Sequence, residues 1–147
     1  MREHRPTTGY LVWRLALKWR AAVDRAVRPL GLTHAQYSLL ASLFAETRHG
    51  RQPSQRELSD ITGLEPVFVS KLARALERAG LVDRLDHPTD PRAFSLRLTA
   101  HGETVVTQAI GVVAELHEQL TAPIGGPRSV RGRQLIDTLQ TLLGASP

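Results

Sequence analysis

The stretch that decides the fold runs from Ser54 to Leu98 and reads SQRELSDITG, then LEPVFVSKLARALERAG, then LVDRLDHPTDPRAFSLRL. Apolar residues recur at helical spacing in the first two segments, and they alternate with polar residues at the end of the third. The stretch therefore predicts two helices joined by a tight turn, followed by two short strands. Such an arrangement of helix, turn, helix and hairpin fits the groove of a nucleic acid.

The first helix is predicted to begin at a capping box, Ser54-Gln-Arg-Glu57. In this motif the serine hydroxyl bonds the Glu57 amide and the Glu57 side chain reaches back to the cap. Leu58 and Ile61 are expected to face inward. Gly63 suits the left-handed conformation that commonly ends a helix.

The second helix is predicted over residues 66–79, with polar and apolar residues on opposite faces. The polar face carries a hydroxyl and three cations: Ser70, Lys71, Arg74 and Arg78. The apolar face carries Phe68, Val69, Leu72, Ala73, Ala75, Leu76 and Ala79.

The hairpin is predicted to follow at once. Residues 81–86 are short and compatible with a strand. Phe94, Leu96 and Leu98 alternate with polar residues, which predicts a second, half-buried strand. Residues 87–92 contain two prolines and no apolar side chain larger than proline, so they are expected to form an exposed tip.

Four further helices are predicted outside this stretch, over residues 8–28, 33–47, 100–121 and 129–143. A capping box, Thr33-His-Ala-Gln36, begins the second of them. Its buried face is expected to consist of Tyr37, Leu40, Leu43 and Phe44. The other three are more apolar than a lone chain needs, which favours an interface between two subunits over packing within one chain.

Length and composition limit the class of protein. A chain of 147 residues fits one domain with a sizeable core. The absence of cysteine excludes disulfides and thiolate metal sites. No apolar run approaches the roughly 20 residues of a membrane span, and the N-terminus lacks the apolar segment of a signal peptide. A cytoplasmic protein without membrane association is therefore expected.

The charge is positive but unevenly spread. A net charge of +5 and a pI near 10.7 suit a polyanionic partner. Residues 1–30 hold seven basic and two acidic groups, whereas residues 65–98 hold six basic and five acidic groups. Binding of a nucleic acid by the central stretch therefore depends on how its charges are sorted between faces.

Double-stranded DNA is the partner that this sorting favours. Side chains near the start of the second helix of such a motif meet base edges in the major groove, and here these positions carry Val67, Ser70, Lys71 and Arg74. The start of the preceding helix is expected to contact phosphate through Ser54, Gln55 and Arg56. Arg92, at the hairpin tip, is expected to enter the adjacent minor groove, whose negative potential attracts arginine.

Two simpler interpretations compete with this one. A basic helix face is often merely solvated, and a module of this shape can instead mediate contacts with protein or RNA. Specific binding to duplex DNA, with an affinity that falls steeply with salt, separates the DNA-binding interpretation from both.

Three separated pieces of sequence carry a resemblance to a known family: Gly80-Leu-Val-Asp-Arg84, Asp90-Pro-Arg92 and Leu96-Arg-Leu-Thr-Ala-His-Gly102. Together with the order of helices, they resemble the MarR family of winged helix-turn-helix transcriptional regulators over nearly the whole chain. The resemblance implies a mainly α fold with a small β-hairpin, in a single domain. Residues 33–99 would form the winged helix-turn-helix lobe, and residues 1–32 and 100–147 the dimerisation helices.

The resemblance also implies a mode of binding: a homodimer on a pseudo-palindromic operator, most simply as a repressor. Asp90 would orient Arg92 in the wing. Ser70 and Lys71 fall at positions that contact bases in the family, whereas Ala75 stands where many members have arginine.

Control by a small-molecule effector of the phenolic or aromatic-acid type is a further implication of the resemblance. The residues expected to line its site are Trp13, Arg14, His34, Tyr37 and His117. A mixture of aromatic and cationic groups suits such a ligand, but Trp13 and Tyr37 are equally compatible with ordinary core packing. The absence of cysteine removes the peroxide sensing known in one branch of the family.

Neither an enzyme nor a cofactor is expected. The chain has no Walker motif, no GxSxG and no HExxH. The six histidines contain no His-x-x-x-His pair, which argues against a metal site. His34 with Glu46, and His117 with Glu115, are acid–base pairs by residue type alone.

Overall fold

The structure, a computed structural model, describes residues 5–144, so His4 lies outside the described residues. The helices and strands are α1 (Thr8–Val27), α2 (His34–Arg48), α3 (Gln55–Thr62), α4 (Pro66–Arg78), β1 (Val82–Asp86), β2 (Phe94–Leu98), α5 (Ala100–Thr121) and α6 (Val130–Leu143). Short 3-10 turns follow α1 and α5. The predicted fold class, mainly helical with one antiparallel hairpin, is confirmed.

The chain divides into two compact units. The helical unit contains the described residues up to Ala26 and from Val112 onward, and the winged unit contains Val27–Gly111. These limits differ by several residues from those of the predicted lobes. The dimerising role given to residues 1–32 and 100–147 stays a prediction.

The winged unit has a closed apolar core. Its helix α2 begins as predicted: Thr33 Oγ1 accepts from the Gln36 amide at 3.2 Å, and Gln36 Oε1 accepts from the Thr33 amide at 2.9 Å. The expected inner face of α2 is only partly right, because Tyr37 and Phe44 are half-buried and Leu39 is fully buried. The fully buried large side chains of this unit are Val27, Leu39, Leu40, Leu43, Leu58, Val69, Leu76, Val82, Leu96 and Val106.

Helix α3 differs from its prediction at two points. Ser54 Oγ accepts from the Glu57 amide at 3.0 Å, but the Glu57 carboxylate meets the Ser54 hydroxyl, at 3.3 Å, and not the Ser54 amide. The inward position predicted for Ile61 is wrong, because this side chain is 51% exposed. Ser59 is buried instead, since its hydroxyl donates to the Leu64 carbonyl at 2.5 Å and ties the end of α3 to the turn.

The turn between α3 and α4 has the predicted geometry. Gly63 has φ of 73°, in the left-handed region, and its amide donates to the Ser59 carbonyl at 2.9 Å. Pro66 occupies the first turn of α4, where a missing amide hydrogen costs little. These two residues fix the direction in which α4 leaves α3.

In the hairpin, β1 pairs with β2 with Val82 opposite Leu98 and Asp86 opposite Phe94. The predicted alternation is wrong at Phe94, which is exposed, while Ser95 is fully buried. The cause is a third stretch of backbone: the Leu96 amide donates to the Pro53 carbonyl at 3.3 Å, and Gln52 Nε2 donates to Ser95 Oγ at 3.0 Å. This pairing turns the start of β2 toward residues 52–54.

The glycines and threonine of the family motif hold the hairpin to α5. Thr99 Oγ1 donates to the Gly80 carbonyl at 2.6 Å and accepts from the Gly102 amide at 2.9 Å. A Cβ on Gly102 would collide with the backbone of Leu81, so α5 can pass this close only with glycine. The two outer parts of the motif therefore form one structural junction.

The helical unit is less buried. Among its described residues, Ala22, Val23 and Val113 are the buried apolar side chains. Its large apolar residues are otherwise mostly exposed: Tyr10, Leu11, Val12, Trp13, Leu15, Leu17, Val112, Val130, Ile136, Leu139, Leu142 and Leu143. The broad apolar surface predicted for its helices is thus present but uncovered in the single chain.

Candidate nucleic-acid interface

An open cleft of about 600 Å³ joins the starts of α3 and α4 to the wing, which is the tip of the hairpin. Its lining residues are Gln55, Arg56, Asp60, Pro66, Ser70, Asp90, Arg92, Ala93 and Phe94. The structure thus brings together five residues that the sequence placed at a DNA contact or in its support: Gln55, Arg56, Ser70, Asp90 and Arg92. They come from three segments that are far apart in the chain.

The face of α4 is arranged as a helix that enters a groove requires. Val67 is 75% exposed near the start of the helix, and Lys71 and Arg74 are exposed further along. Ser70 is half-buried where it lines the cleft. Because Val69, Leu72, Ala73 and Leu76 are buried on the opposite face, α4 cannot rotate to present other residues.

At the start of α3 the predicted residues separate into two roles. Arg56 is exposed beside the cleft, where a phosphate can approach it. Ser54 is buried and serves as the helix cap, so its hydroxyl is already engaged. Gln55 Oε1 is a buried acceptor without a hydrogen-bond partner within residues 5–144.

Hydrogen bonds to Asp90 fix the backbone around Arg92 in the wing. Asp90 Oδ1 accepts from the Arg92 amide at 2.9 Å, and the Ala93 amide donates to the Asp90 carbonyl at 3.1 Å. The Arg92 side chain is exposed. Two prolines, Pro88 and Pro91, restrict the backbone around it.

Several residues at this surface were not predicted from the sequence. Asp60 lines the cleft one helical turn after Arg56, and their spacing of four residues is a signal that could have revealed it. Phe94 lines the same cleft, and the guanidinium carbon of Arg84 lies 4.3 Å from the centre of its ring. No local pattern indicates this contact, because Phe94 was expected in the core.

The candidate effector residues of the helical unit lie beside aromatic neighbours. Trp13 is 58% exposed, with its ring 6.4 Å from that of Tyr10. Arg14 Nη1 donates to the Tyr10 hydroxyl at 2.9 Å. The His117 ring lies 5.4 Å from that of Trp19, and burial lowers the pKa of His117 below its ordinary value.

The other two candidate effector residues lie in the winged unit, on α2. His34 is its first residue and is half-buried. Tyr37 is also half-buried, and burial raises the pKa of its phenol, which stays a hydrogen-bond donor at neutral pH. The five residues thus belong to two separately packed units, and their role in binding an effector stays a prediction.

Residues 5–144 contain neither a candidate metal site nor a candidate membrane-spanning helix. No three histidine or acidic side chains in that range converge on a point where they could hold a metal ion. None of the helices in the same range is both long and apolar enough to cross a membrane.

Known proteins share this arrangement. A profile of the MarR family matches residues 30–93. YdcH of Bacillus subtilis strain 168, an uncharacterized HTH-type transcriptional regulator, is 30% identical over 135 residues, which is 92% of this chain and 88% of that protein.

Two solved structures share the fold over nearly their whole length. The transcriptional regulator MosR of M. tuberculosis, in complex with DNA, is similar over 95% of this chain and 98% of that chain, with a TM-score of 0.73 and 28% identity. CouR of Rhodococcus jostii RHA1, bound to p-coumaroyl-CoA, is similar over 92% of this chain and 91% of that chain, with a TM-score of 0.78 and 26% identity.

Proposed function

Because this chain belongs to the MarR family of DNA-binding transcriptional regulators, we propose that it acts as a homodimeric repressor on a pseudo-palindromic operator. The observation that carries the proposal is the cleft that joins the start of α3, the exposed face of α4 and the wing. A surface with these three parts can contact phosphate, the major groove and the minor groove at the same time.

Each part of the surface has its own role in this proposal. Lys71 and Arg74 donate to base acceptors such as guanine O6 and N7, and Val67 contacts a thymine methyl group. Arg56 and the free amides at the start of α3 bind phosphate. Arg92 enters the minor groove next to the half-site.

The homodimer is supported by the uncovered apolar surface of the helical unit. The first half of α1 and most of α6 expose large apolar side chains that a stable soluble chain would bury. A second copy of the same surface is the simplest cover, because two-fold dimers bury the same patch on both subunits. Such a dimer presents two α4 helices to two half-sites.

Repression is the mode of control that such a complex favours. Each winged unit is occupied by DNA on its α4 side, and the remaining apolar surface is used for dimerisation. A dimer of this size has no evident surface left for recruiting polymerase, so its binding at a promoter excludes other proteins from the DNA.

Release by a small phenolic or aromatic acid completes the proposed function. The residues predicted to contact such a ligand offer aromatic rings, a phenol and a guanidinium, which suit an aromatic anion. The structure of CouR with p-coumaroyl-CoA supports this ligand class by likeness. We expect p-coumarate to weaken DNA binding of the wild-type protein, and Arg14→Ala to abolish this response while DNA binding without p-coumarate is retained.

The proposed function is tested with a duplex from the DNA upstream of the protein's own gene and a shuffled duplex of the same length. We expect tighter binding to the upstream duplex, and a log affinity that falls with log salt by about 0.9 per phosphate contact. Arg56→Ala should reduce the steepness of this dependence by about one contact on both duplexes. Equal affinity for the two duplexes would contradict the proposal and favour a module that contacts protein or RNA.

A further inference from the structure

The imidazole ring of His87 stands at the base of the wing and accepts hydrogen bonds from its tip. His87 Nδ1 lies 3.3 Å from the Thr89 amide nitrogen and 3.1 Å from the Asp90 amide nitrogen. A backbone amide can only donate, so Nδ1 must carry a lone pair and no proton. The neutral ring that satisfies both contacts therefore carries its proton on Nε2.

Each backbone amide hydrogen of residues 88–92 has an acceptor within the wing. Pro88 and Pro91 have no amide hydrogen, so residues 88–92 offer three amide donors. Two of them, from Thr89 and Asp90, share the single lone pair of His87 Nδ1, which also lies 3.3 Å from the Thr89 hydroxyl, and the Asp90 carboxylate accepts the third, from Arg92. One histidine nitrogen thus holds the peptide that places Asp90, and Asp90 in turn holds Arg92.

The other side of the ring faces α3. His87 Nε2 lies 4.0 Å from Glu57 Oε1, and only 19% of the histidine side chain is exposed. The same Glu57 oxygen accepts from the Ser54 hydroxyl at 3.3 Å, at the cap of α3. At 4.0 Å the contact is an electrostatic attraction between the Nε2–H group and the carboxylate and not a direct hydrogen bond. This contact between His87 and Glu57 connects the wing to the start of α3, which is proposed to bind phosphate.

We propose that His87, as the neutral Nε2–H tautomer, is the positioning residue of the wing, which fixes Arg92 through Asp90 relative to the start of α3. The inference rests on the proposed entry of Arg92 into the minor groove. His87 itself touches no DNA in this proposal; it sets the conformation from which Arg92 reaches the groove. Without its acceptor the tip amides turn to solvent, and ordering the tip again on binding costs affinity.

The functional test compares His87→Ala, His87→Asn, Arg92→Ala and the double variant His87→Ala/Arg92→Ala on the upstream duplex. Asparagine is the conservative replacement, because its side-chain oxygen can accept from the amide two residues later. We expect His87→Ala to weaken binding about tenfold and His87→Asn to stay within about threefold of wild type. The double variant should bind as Arg92→Ala does, because the effect of His87 passes through Arg92.

Two results of this test would overturn the proposal. One is a His87→Asn variant as weak as His87→Ala, because the acceptor would then be irrelevant. The other is a loss of affinity from His87→Ala that is as large in the Arg92→Ala variant as in the wild type. If Arg92→Ala binds as tightly as wild type, the proposed wing contact fails, and the role of His87 in placing Arg92 on DNA fails with it.

A measurement on the free protein tests the geometry without DNA. Long-range ¹H–¹⁵N NMR spectra distinguish the two nitrogens of each histidine, and His49, exposed at the end of α2, serves as a comparison. We expect the neutral ring of His87 to show the signals of the Nε2–H tautomer, and a change in the Thr89 and Asp90 amide signals in His87→Ala but not in Arg92→Ala. A neutral ring with its proton on Nδ1 overturns the inference whatever the DNA affinities are.

Discussion

The two units of the chain differ in how far they bury their large apolar residues. The winged unit buries most of them, and those it exposes are few: Ile61, Val67, Phe68 and Phe94. The helical unit exposes large apolar side chains along α1 and α6 and buries little beyond Ala22, Val23 and Val113 among its described residues. One unit therefore closes its apolar core within a single chain, and the other leaves a broad apolar surface uncovered.

This difference separates two requirements of DNA recognition. A closed core fixes the face of α4, so its exposed polar residues can be devoted to DNA. In the proposed dimer the open apolar surface brings two such units together, and binding of two linked half-sites then exceeds the affinity of either one. The comparison predicts large effects for substitutions in the helical unit and smaller, sequence-dependent effects for those on α4 and the wing.

The sharpest contrast comes from two equally exposed residues, Leu11 in the helical unit and Ile61 in the winged unit, both at 51% exposure in the single chain. We expect Leu11→Asp to convert a dimer into a monomer in sedimentation experiments, because it places a charge in the apolar interface. Operator affinity should fall by about 100-fold or more. Ile61→Asp should leave the dimer intact. Dimers of equal stability in both variants would refute the difference between the units.

On α4 we expect a smaller effect that depends on base sequence. Lys71→Ala should cost about 1–3 kcal/mol on the operator and much less on random duplex, because a base contact is lost. Arg78→Ala, at the other end of the same helix, should weaken both duplexes alike. Competition binding with single-base operator variants measures the difference. An equal loss of affinity on every sequence would show that Lys71 contacts phosphate and not a base.

At the wing, Arg92→Ala is expected to weaken operator binding about tenfold, chiefly at sites flanked by a narrow, AT-rich minor groove. Arg97→Ala is the matched control, because Arg97 is an exposed arginine of the same hairpin that pairs with Asp83 at 3.2 Å. Fluorescence anisotropy on duplexes with AT-rich and GC-rich flanks measures both variants. Should the two variants behave alike, the wing makes no arginine-specific contact.

The smallest expected effect concerns pH and the helical unit. Burial beside Trp19 lowers the pKa of His117 below its ordinary value of 6.5, so the folded chain resists protonation more than the unfolded chain does. The associated stability is present above that value and is lost as the pH falls below it. In thermal unfolding at fixed protein concentration, the stability of His117→Gln should fall less on acidification than the stability of the wild type.

Features set by neighbouring residues could be predicted from the sequence. The cap at Thr33, the turn at Gly63 and the entry of α4 at Pro66 each depend on a few adjacent positions, and the structure contains all three. The order of helices and the hairpin followed from periodicity in the same way. These local features, with the three-part motif, were sufficient for the fold and the family.

Features set by distant segments could not be predicted. Ile61 was expected inside because it follows Leu58 at helical spacing, but the Ser59 bond to the Leu64 carbonyl turns a polar residue inward instead. Phe94 was misplaced because residues 52–54 pair with β2 from another part of the chain. The cleft has the same origin, since no spacing in the sequence relates Asp60 to Arg92.

The central claim is that two winged units act together on one specific DNA site. Sequencing the genomic DNA fragments that the purified wild-type protein retains tests it most directly. We predict strong enrichment of one inverted repeat, with half-site centres about 10 base pairs, or a multiple of one helical turn, apart. Retention of fragments without a shared sequence, or of isolated half-sites only, would contradict the account.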